Sequence, residues 1–176
     1  MNKVAHLTVF LSVISAIAGG ALAWANNMTA PVIAANNLKQ EKESLQEMYP
    51  DASLNDFKQV KLDTDSTTIQ KVYTYEDKVI FNMSVSGYKD GTTFLVSINK
   101  GDGTIDKYLG LSNGDTKGLG SQVLDKPFRK SLEGKKASGQ LDTISGATIS
   151  SSAVTAGINE AAGYVKDVKL KENRYE

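Results

Sequence analysis

The chain opens on a long apolar run. From Val4 to Ala25 there is no Lys, Arg, Asp or Glu, and the next charge after Lys3 is Lys39. About 20 apolar residues suffice to cross a bilayer as a helix, so the pattern predicts a transmembrane anchor over residues 1–28. A cleaved signal peptide is the competing reading, because Ala21-Leu22-Ala23 has the small-x-small form. The run is longer than the usual ~7–15-residue apolar core of such peptides, and Trp24 stands where an interfacial aromatic anchors a span, which favours a retained anchor. Lys3 and the amino terminus lie on the short side, and no basic residue follows Trp24 for about a dozen positions. The bulk of the chain is therefore expected outside the cytoplasm, with the N-terminus inside. His6, Ser12 and Ser15 could contact another membrane protein, and Gly19-Gly20 permits close helix approach. A serine can also bond back to its own helix, and His6 can reach the interface.

After the anchor the period of the pattern changes twice. Thr29-Ala30-Pro31 has the form of a helix start, with Thr29 as cap and Pro31 in the first turn. Val32, Ile33, Leu38, Leu45 and Met48 then give a loosely helical pattern, predicting a juxtamembrane helix over residues 29–50 that ends before Pro50. Residues 51–176 read as one further domain. Five segments have strand character: Phe57 to Leu62, Ile69 to Tyr75, Val79 to Val85, Thr92 to Ile98 and Thr104 to Leu111. Asp-Lys, Gly-Tyr-Lys-Asp-Gly and Gly-Asp-Gly turn signals separate them, which predicts an antiparallel meander. A short helix is expected around Lys126 to Leu132. A longer one is expected from about Ser150 to Lys166, with Ala153, Val154, Ile158, Ala161, Ala162 and Val165 on one face. Strands first and helices later argue for an α+β fold, an antiparallel sheet with flanking helices.

Composition removes whole classes of function. Lys and Arg balance Asp and Glu at 20 each, so no basic field exists to gather nucleic acid. Cysteine is absent, which excludes disulfides, iron–sulfur ligation, thiolate zinc sites and a cysteine nucleophile. The single histidine, His6, lies in the apolar run, so no Ser-His-Asp triad or His-based metal site can form in the following domain. No metal site and no catalytic residue is assigned, and a redox role would require a bound organic cofactor.

The informative stretch is Asp142-Thr143-Ile144-Ser145-Gly146-Ala147-Thr148-Ile149-Ser150-Ser151, just before the last long helix. A helix N-terminus exposes unpaired N–H groups and a partial positive charge, which suit a phosphate. Gly146 and Ala147 would let the backbone approach closely, and the hydroxyls could donate hydrogen bonds. The plainer reading is that Thr148 or Ser150 caps the helix, Gly146 makes the turn, and no ligand is involved.

Asp142 to Thr148 resembles the flavinylation motif D-x-x-[ST]-G-A-T of the FMN-binding domains in the G subunit of the Rnf complex and the C subunit of the sodium-pumping NADH:quinone oxidoreductase, matching at every specified position. The resemblance implies that a flavin transferase uses FAD to attach FMN through its phosphate to Thr148, with Asp142, Ser145, Gly146 and Ala147 forming the recognition and phosphate-cradling segment. Upstream, Ser112-Asn113-Gly114-Asp115-Thr116-Lys117-Gly118-Leu119-Gly120 is similar to the family's S-H-x-E-T-P-G-L-G loop beside the flavin. It departs from that loop at Asn113, Asp115 and Lys117. Thr116, Lys117, Gly118, Leu119 and Gly120 are thereby cofactor-binding candidates; Lys117 would favour an anionic reduced flavin or be a solvated surface lysine. Gly87-Tyr88 resembles the family's S-G-x-G-Y-type segment, making Tyr88 a wall for the isoalloxazine ring or, in the plainer reading, a core or edge tyrosine.

What the resemblance implies is a membrane-anchored electron-transfer subunit of an Rnf-type complex, coupling ferredoxin and NAD redox chemistry to sodium or proton translocation. The flavin would do the chemistry and the protein would position it. The implied partners are the other membrane subunits, and a flavin transferase during maturation. Two rivals stay open: a stand-alone flavoprotein for electron export, and a non-redox binding domain.

Overall fold

A computed structural model describes residues 3–62 and 64–172; the side chains of residues 34, 35, 37, 38 and 169–172 lie outside the description, Leu38 of the expected juxtamembrane face among them. The chain divides into two compact units, Met1–Glu43 and Ser44–Glu176.

The first unit is helical throughout its described length, as the major part of helix α1 (Lys3–Met48). Its stretch Lys3–Ile33 is long and apolar enough to cross a membrane, and none of its most apolar window is buried by protein. The helix runs straight through the expected boundary at Thr29. That threonine is not a cap: its hydroxyl donates back to the Ala25 carbonyl at 3.0 Å, as Thr8 does to Val4 at 2.9 Å. Pro31 lies inside the helix. A proline removes one intrahelical hydrogen bond, and the many bonds on either side carry the helix across it. No separate juxtamembrane helix therefore begins at residue 29, although the helix does stop before Pro50, at Met48.

The second unit is the expected α+β domain. Strands β1 (Lys58–Val60), β2 (Ile69–Tyr75), β3 (Lys78–Ser86), β4 (Gly91–Asn99) and β5 (Ile105–Asn113) form one sheet in sequence order, every neighbour antiparallel. Two helices follow, α2 (Lys126–Leu132) and α3 (Thr148–Glu172), the latter longer at both ends than the sequence pattern suggests.

The central strands are buried on both faces, which is why β3 and β4 contain the apolar runs Val79-Ile80-Phe81 and Phe94-Leu95-Val96 rather than strict alternation. On one face Phe81, Met83, Val85, Phe94 and Val96 pack with Phe128 and Leu132 of α2 and with Val154, Ile158, Ala161, Val165 and Val168 of α3. The spacing of the α3 residues keeps them on one stripe. On the other face Tyr73, Ile80, Leu95 and Leu109 meet Leu45, Met48, Tyr49 and Ala52. Gly157 lets α3 settle on the sheet, since a Cβ there would lie 2.9 Å from Val85 Cγ1.

Tyr49 pins the second face. Its hydroxyl donates to the Asp106 carboxylate at 2.5 Å and lies 2.6 Å from Ser97 Oγ, while Lys107 Nζ sits 4.4 Å from the ring centre. Burial first, then the bond to Asp106, push the phenol well above its ordinary range, so it serves as a protonated donor. Tyr49→Phe leaves the partly buried Asp106 without this donor. It is expected to cost about 1–3 kcal/mol, read as a lower midpoint in chemical denaturation of the full chain in detergent.

Candidate functional site

Three segments far apart in sequence meet at one end of the sheet. The pairing Ser86↔Gly91 closes the β3–β4 hairpin and leaves residues 87–90 as its turn, locked by the Gly87 N–H to the Asp90 carbonyl at 2.7 Å. Strand β5 ends beside it: Thr92 pairs with Asn113, and the Gly114 N–H donates to the Gly91 carbonyl at 3.0 Å. The packing of Gly157 on Val85, near the end of β3, brings the start of α3 to the same place.

Between these segments lies a cleft of about 530 Å³, within the range of small-molecule sites. The hairpin turn contributes Tyr88; the loop after β5 contributes Asp115, Thr116, Leu119 and Gly120; the loop and first turn of α3 contribute Gly146 to Ser150. Among the described residues of the second unit, large exposed apolar side chains are few, and Tyr88 (70% exposed), Leu119 (51%) and Ile149 (56%) all stand at this cleft. Apolar surface left open in such a concentration marks a binding site more than an accident of packing.

Among the described residues, no side chain caps the start of α3. Ala147, among the poorest cap residues, precedes the first helical residue, and the first helical bond runs from the Ser151 N–H to the Ala147 carbonyl at 3.0 Å. Among the described residues, no acceptor takes the N–H groups of Thr148, Ile149 or Ser150. Gly146 turns the chain into the helix with φ +84°, a conformation that excludes most side chains.

The four hydroxyls of this turn are not equivalent. Ser151 is fully buried, accepting from the Ile144 N–H at 2.9 Å and donating to the Ala147 carbonyl at 2.9 Å. Ser150 is buried and donates to Asp115 at 2.5 Å. Ser152 is exposed but is not part of the cleft wall. Thr148 alone of the four is exposed and lines the cleft, and its hydroxyl has no hydrogen-bond partner among the described residues.

Asp115, which the sequence marks only as a departure from a motif, proves central. Its carboxylate accepts from the backbone N–H groups of Lys89 and Asp90 at 2.8 and 3.0 Å, from Ser150 Oγ, and from Asn113 Nδ2 at 3.3 Å. Asn113 in turn accepts the Asp115 N–H at 3.0 Å and donates to Thr92 at 2.7 Å. Burial would raise the Asp115 carboxyl. The N–H donors of Asp90, Lys89 and Tyr88, with the Ser150 hydroxyl, outweigh it and hold the group well below the usual carboxylate range.

The remaining candidates lie apart from the cleft wall. A Cβ on Gly87 would collide with the Asp115 carboxylate and approach the Asp90 carbonyl to 2.6 Å, so this glycine makes room for Asp115. Lys117 and Gly118 are exposed on the far part of their loop, where Gly118 has φ +80° and its N–H donates to Ser121 Oγ at 2.9 Å. Asp142 is exposed and paired with Lys135 at 2.5 Å, and Ser145 lies beside the turn. The structure thus brings together Tyr88, Thr116, Leu119, Gly120, Gly146, Ala147 and Thr148. It adds Asp115, Ile149 and Ser150, for which the sequence offered only a carboxylate in a glycine-rich loop and the helix-start pattern.

Residues 87–163, which span this cleft, match the family model of the FMN-binding domain. More particularly, the chain is similar to the G subunit of the ion-translocating oxidoreductase complex of Methanosarcina acetivorans, at 27% identity over 93% of this chain and 95% of that one. It is also similar to the G subunit of the proton-translocating ferredoxin:NAD(+) oxidoreductase complex of Clostridium ljungdahlii, at 27% identity over 93% of this chain and 92% of that one. The fold is that of the C subunit of the Na(+)-translocating NADH-quinone reductase from Parabacteroides distasonis (TM-score 0.52, 21% identity, 75% of this chain and 92% of that one). NqrC of Shewanella oneidensis shares it (TM-score 0.51, 17% identity, 64% of this chain and 69% of that one).

Two outcomes follow from the Asp115 geometry. Gly87→Ala drives a methyl into the carboxylate and is expected to destabilise the domain by about 1–3 kcal/mol in thermal or chemical denaturation. A carboxyl depressed in the folded state stabilises the fold above its ordinary value near 3.8, and that contribution is lost as the pH falls toward the folded value. The stability difference between the parent and Asp115→Asn is therefore expected to be full at pH 7 and to shrink as the pH is lowered from about 4 to about 3. A difference that stays constant across that window would contradict the assignment.

Proposed function

We propose that this chain is a membrane-anchored electron-transfer subunit that holds FMN as a phosphoester on Thr148, within an Rnf-type complex coupling ferredoxin and NAD redox chemistry to sodium or proton translocation. The observation that carries the reading is the state of Thr148: a free hydroxyl facing a cleft at a helix start whose first N–H groups have no acceptor among the described residues. Such a start suits a phosphate. The apolar rim of Tyr88, Leu119 and Ile149 suits a flat, largely apolar ring system. The relatives' names support the redox assignment, and the apolar span Lys3–Ile33 supports the anchor.

In the attachment step a flavin transferase would cleave the pyrophosphate bond of FAD. The Thr148 Oγ–phosphorus bond forms, AMP leaves, and the hydroxyl proton passes to a base of the transferase. Asp142, Ser145 and Gly146 would be read by that enzyme, Asp142 and Gly146 both being exposed. When bound, FMN supplies the electron-carrying ring, and the polypeptide supplies a phosphate seat, an apolar rim and an anchor. Lys3 on the short side of the span, with no basic residue after Trp24 until Lys39, orients the domain outside the cytoplasm. There a phosphoester keeps the site filled whatever the concentration of free FMN. The other membrane subunits of the complex would be its donor and acceptor.

Peptide mass spectrometry of native protein is expected to find residue 148 heavier by FMN less one water. Thr148→Ala should abolish covalent flavin and electron transfer. The side chain is exposed and its hydroxyl has no partner among the described residues, so stability should change by no more than about 0.5 kcal/mol. Unmodified Thr148 in protein made alongside a transferase would overturn the reading.

A further inference from the structure

We propose that Asp115 is the positioning residue of the cleft: its carboxylate clasps the β3–β4 turn to the first turn of α3, and so sets the separation of Tyr88 from Thr148 before any ligand enters. The clasp is a property of the polypeptide, and only the identity of the ligand rests on the function proposed above.

The two oxygens of Asp115 serve different elements. Oδ1 accepts the N–H groups of Lys89 and Asp90, the residues following Tyr88 in the turn. Oδ2 accepts Ser150 Oγ, two residues after Thr148. Asn113 joins the same oxygen and ties the assembly to β4 through Thr92. Four donors thus converge on one side chain. An ionised carboxylate can take them all because it only accepts, whereas an asparagine would turn one N–H₂ toward the Asn113 N–H₂.

The backbone on both sides is shaped around this group. Gly87 on the turn has no Cβ where the carboxylate lies. A Cβ on Gly120, in the loop after Asp115, would lie 2.5 Å from Asp115 Cβ and 2.7 Å from Ser150 Oγ. Two glycines at two walls therefore leave room for one hydrogen-bonded junction. Tyr88 itself is 70% exposed, so little besides its turn holds its ring in place over the cleft. Ser150, whose proton is committed to Asp115, is withdrawn from ligand chemistry and becomes the far end of the clasp.

The test uses the full chain in detergent, produced once without a flavin transferase and once with it. Ser150→Ala cuts only the link to α3, and Asp115→Ala removes both links. In unloaded protein, Ser150→Ala is expected to speed hydrogen exchange of the Ser151 and Ser152 amides at least tenfold while the Lys89 and Asp90 amides keep their protection. Asp115→Ala should speed exchange at both places. In loaded protein, a tyrosine ring close to a flavin quenches its emission, so both variants should brighten severalfold toward the level of Tyr88→Leu. Parent-like exchange in both variants overturns the clasp, and parent-like emission from loaded variants overturns its positioning role. If Asp115→Ala fails to fold, Ser150→Ala decides alone. If exchange rises as expected but parent Thr148 bears no flavin, the clasp stands and the FMN reading falls.

Discussion

The seating of α3 on β3 and β4 is the constraint from which the rest of the domain follows. Val154, Ile158, Ala161 and Val165 are almost wholly withdrawn from water against Phe81, Met83, Val85 and Phe94. Each large apolar side chain buried this way contributes about 1.5–3 kcal/mol. Gly157 sets how near the helix comes, because any side chain there would strike Val85. A helix held so closely along its length has its N-terminus fixed in space as well. That end falls beside the β3–β4 turn and the end of β5, and the cleft is the gap the three leave.

Within that gap the electrostatics are divided. At one side stand backbone N–H groups of the α3 start with no side-chain cap among the described residues, at a helix end where an anion is favourable. At the other stands a carboxylate whose charge is already matched by four hydrogen-bond donors. Because Asp115 is satisfied internally, its negative charge does not consume the donors that the helix start presents to a ligand. Thr148 lies on the side of the unmatched donors, at the cleft wall. The same run of small hydroxyl residues thus contains one side chain open to the cleft, Thr148, and two, Ser150 and Ser151, bonded into the fold.

Much of the fold was legible in the linear pattern. Strands β2 to β5 fall within one or two residues of the segments with strand character, because the turns between them carry Gly and Asp signals whose conformational demands are local. Helix α2 coincides with its expected span. The helix start at Thr29 misled for an equally local reason: Thr-x-Pro is a good start signal, but a threonine inside a helix can bond back to the preceding turn, and a long helix tolerates one proline. The motif residues from Gly146 to Thr148 were visible because a glycine turn entering a helix is a short-range feature.

What the sequence by itself determined about this protein is whatever depends on neighbours along the chain: an apolar span, a meander, a closing helix and a glycine turn with hydroxyl residues at that helix's start. The role of Asp115, the construction duty of Gly87 and the inequality of the four hydroxyls were decided only by tertiary structure. Residues 87–90, 113–120 and 146–150 have no local reason to meet. They do so because burying both faces of the central strands leaves each connection one place to go, and a carboxylate between them finds its donors only once all three have arrived.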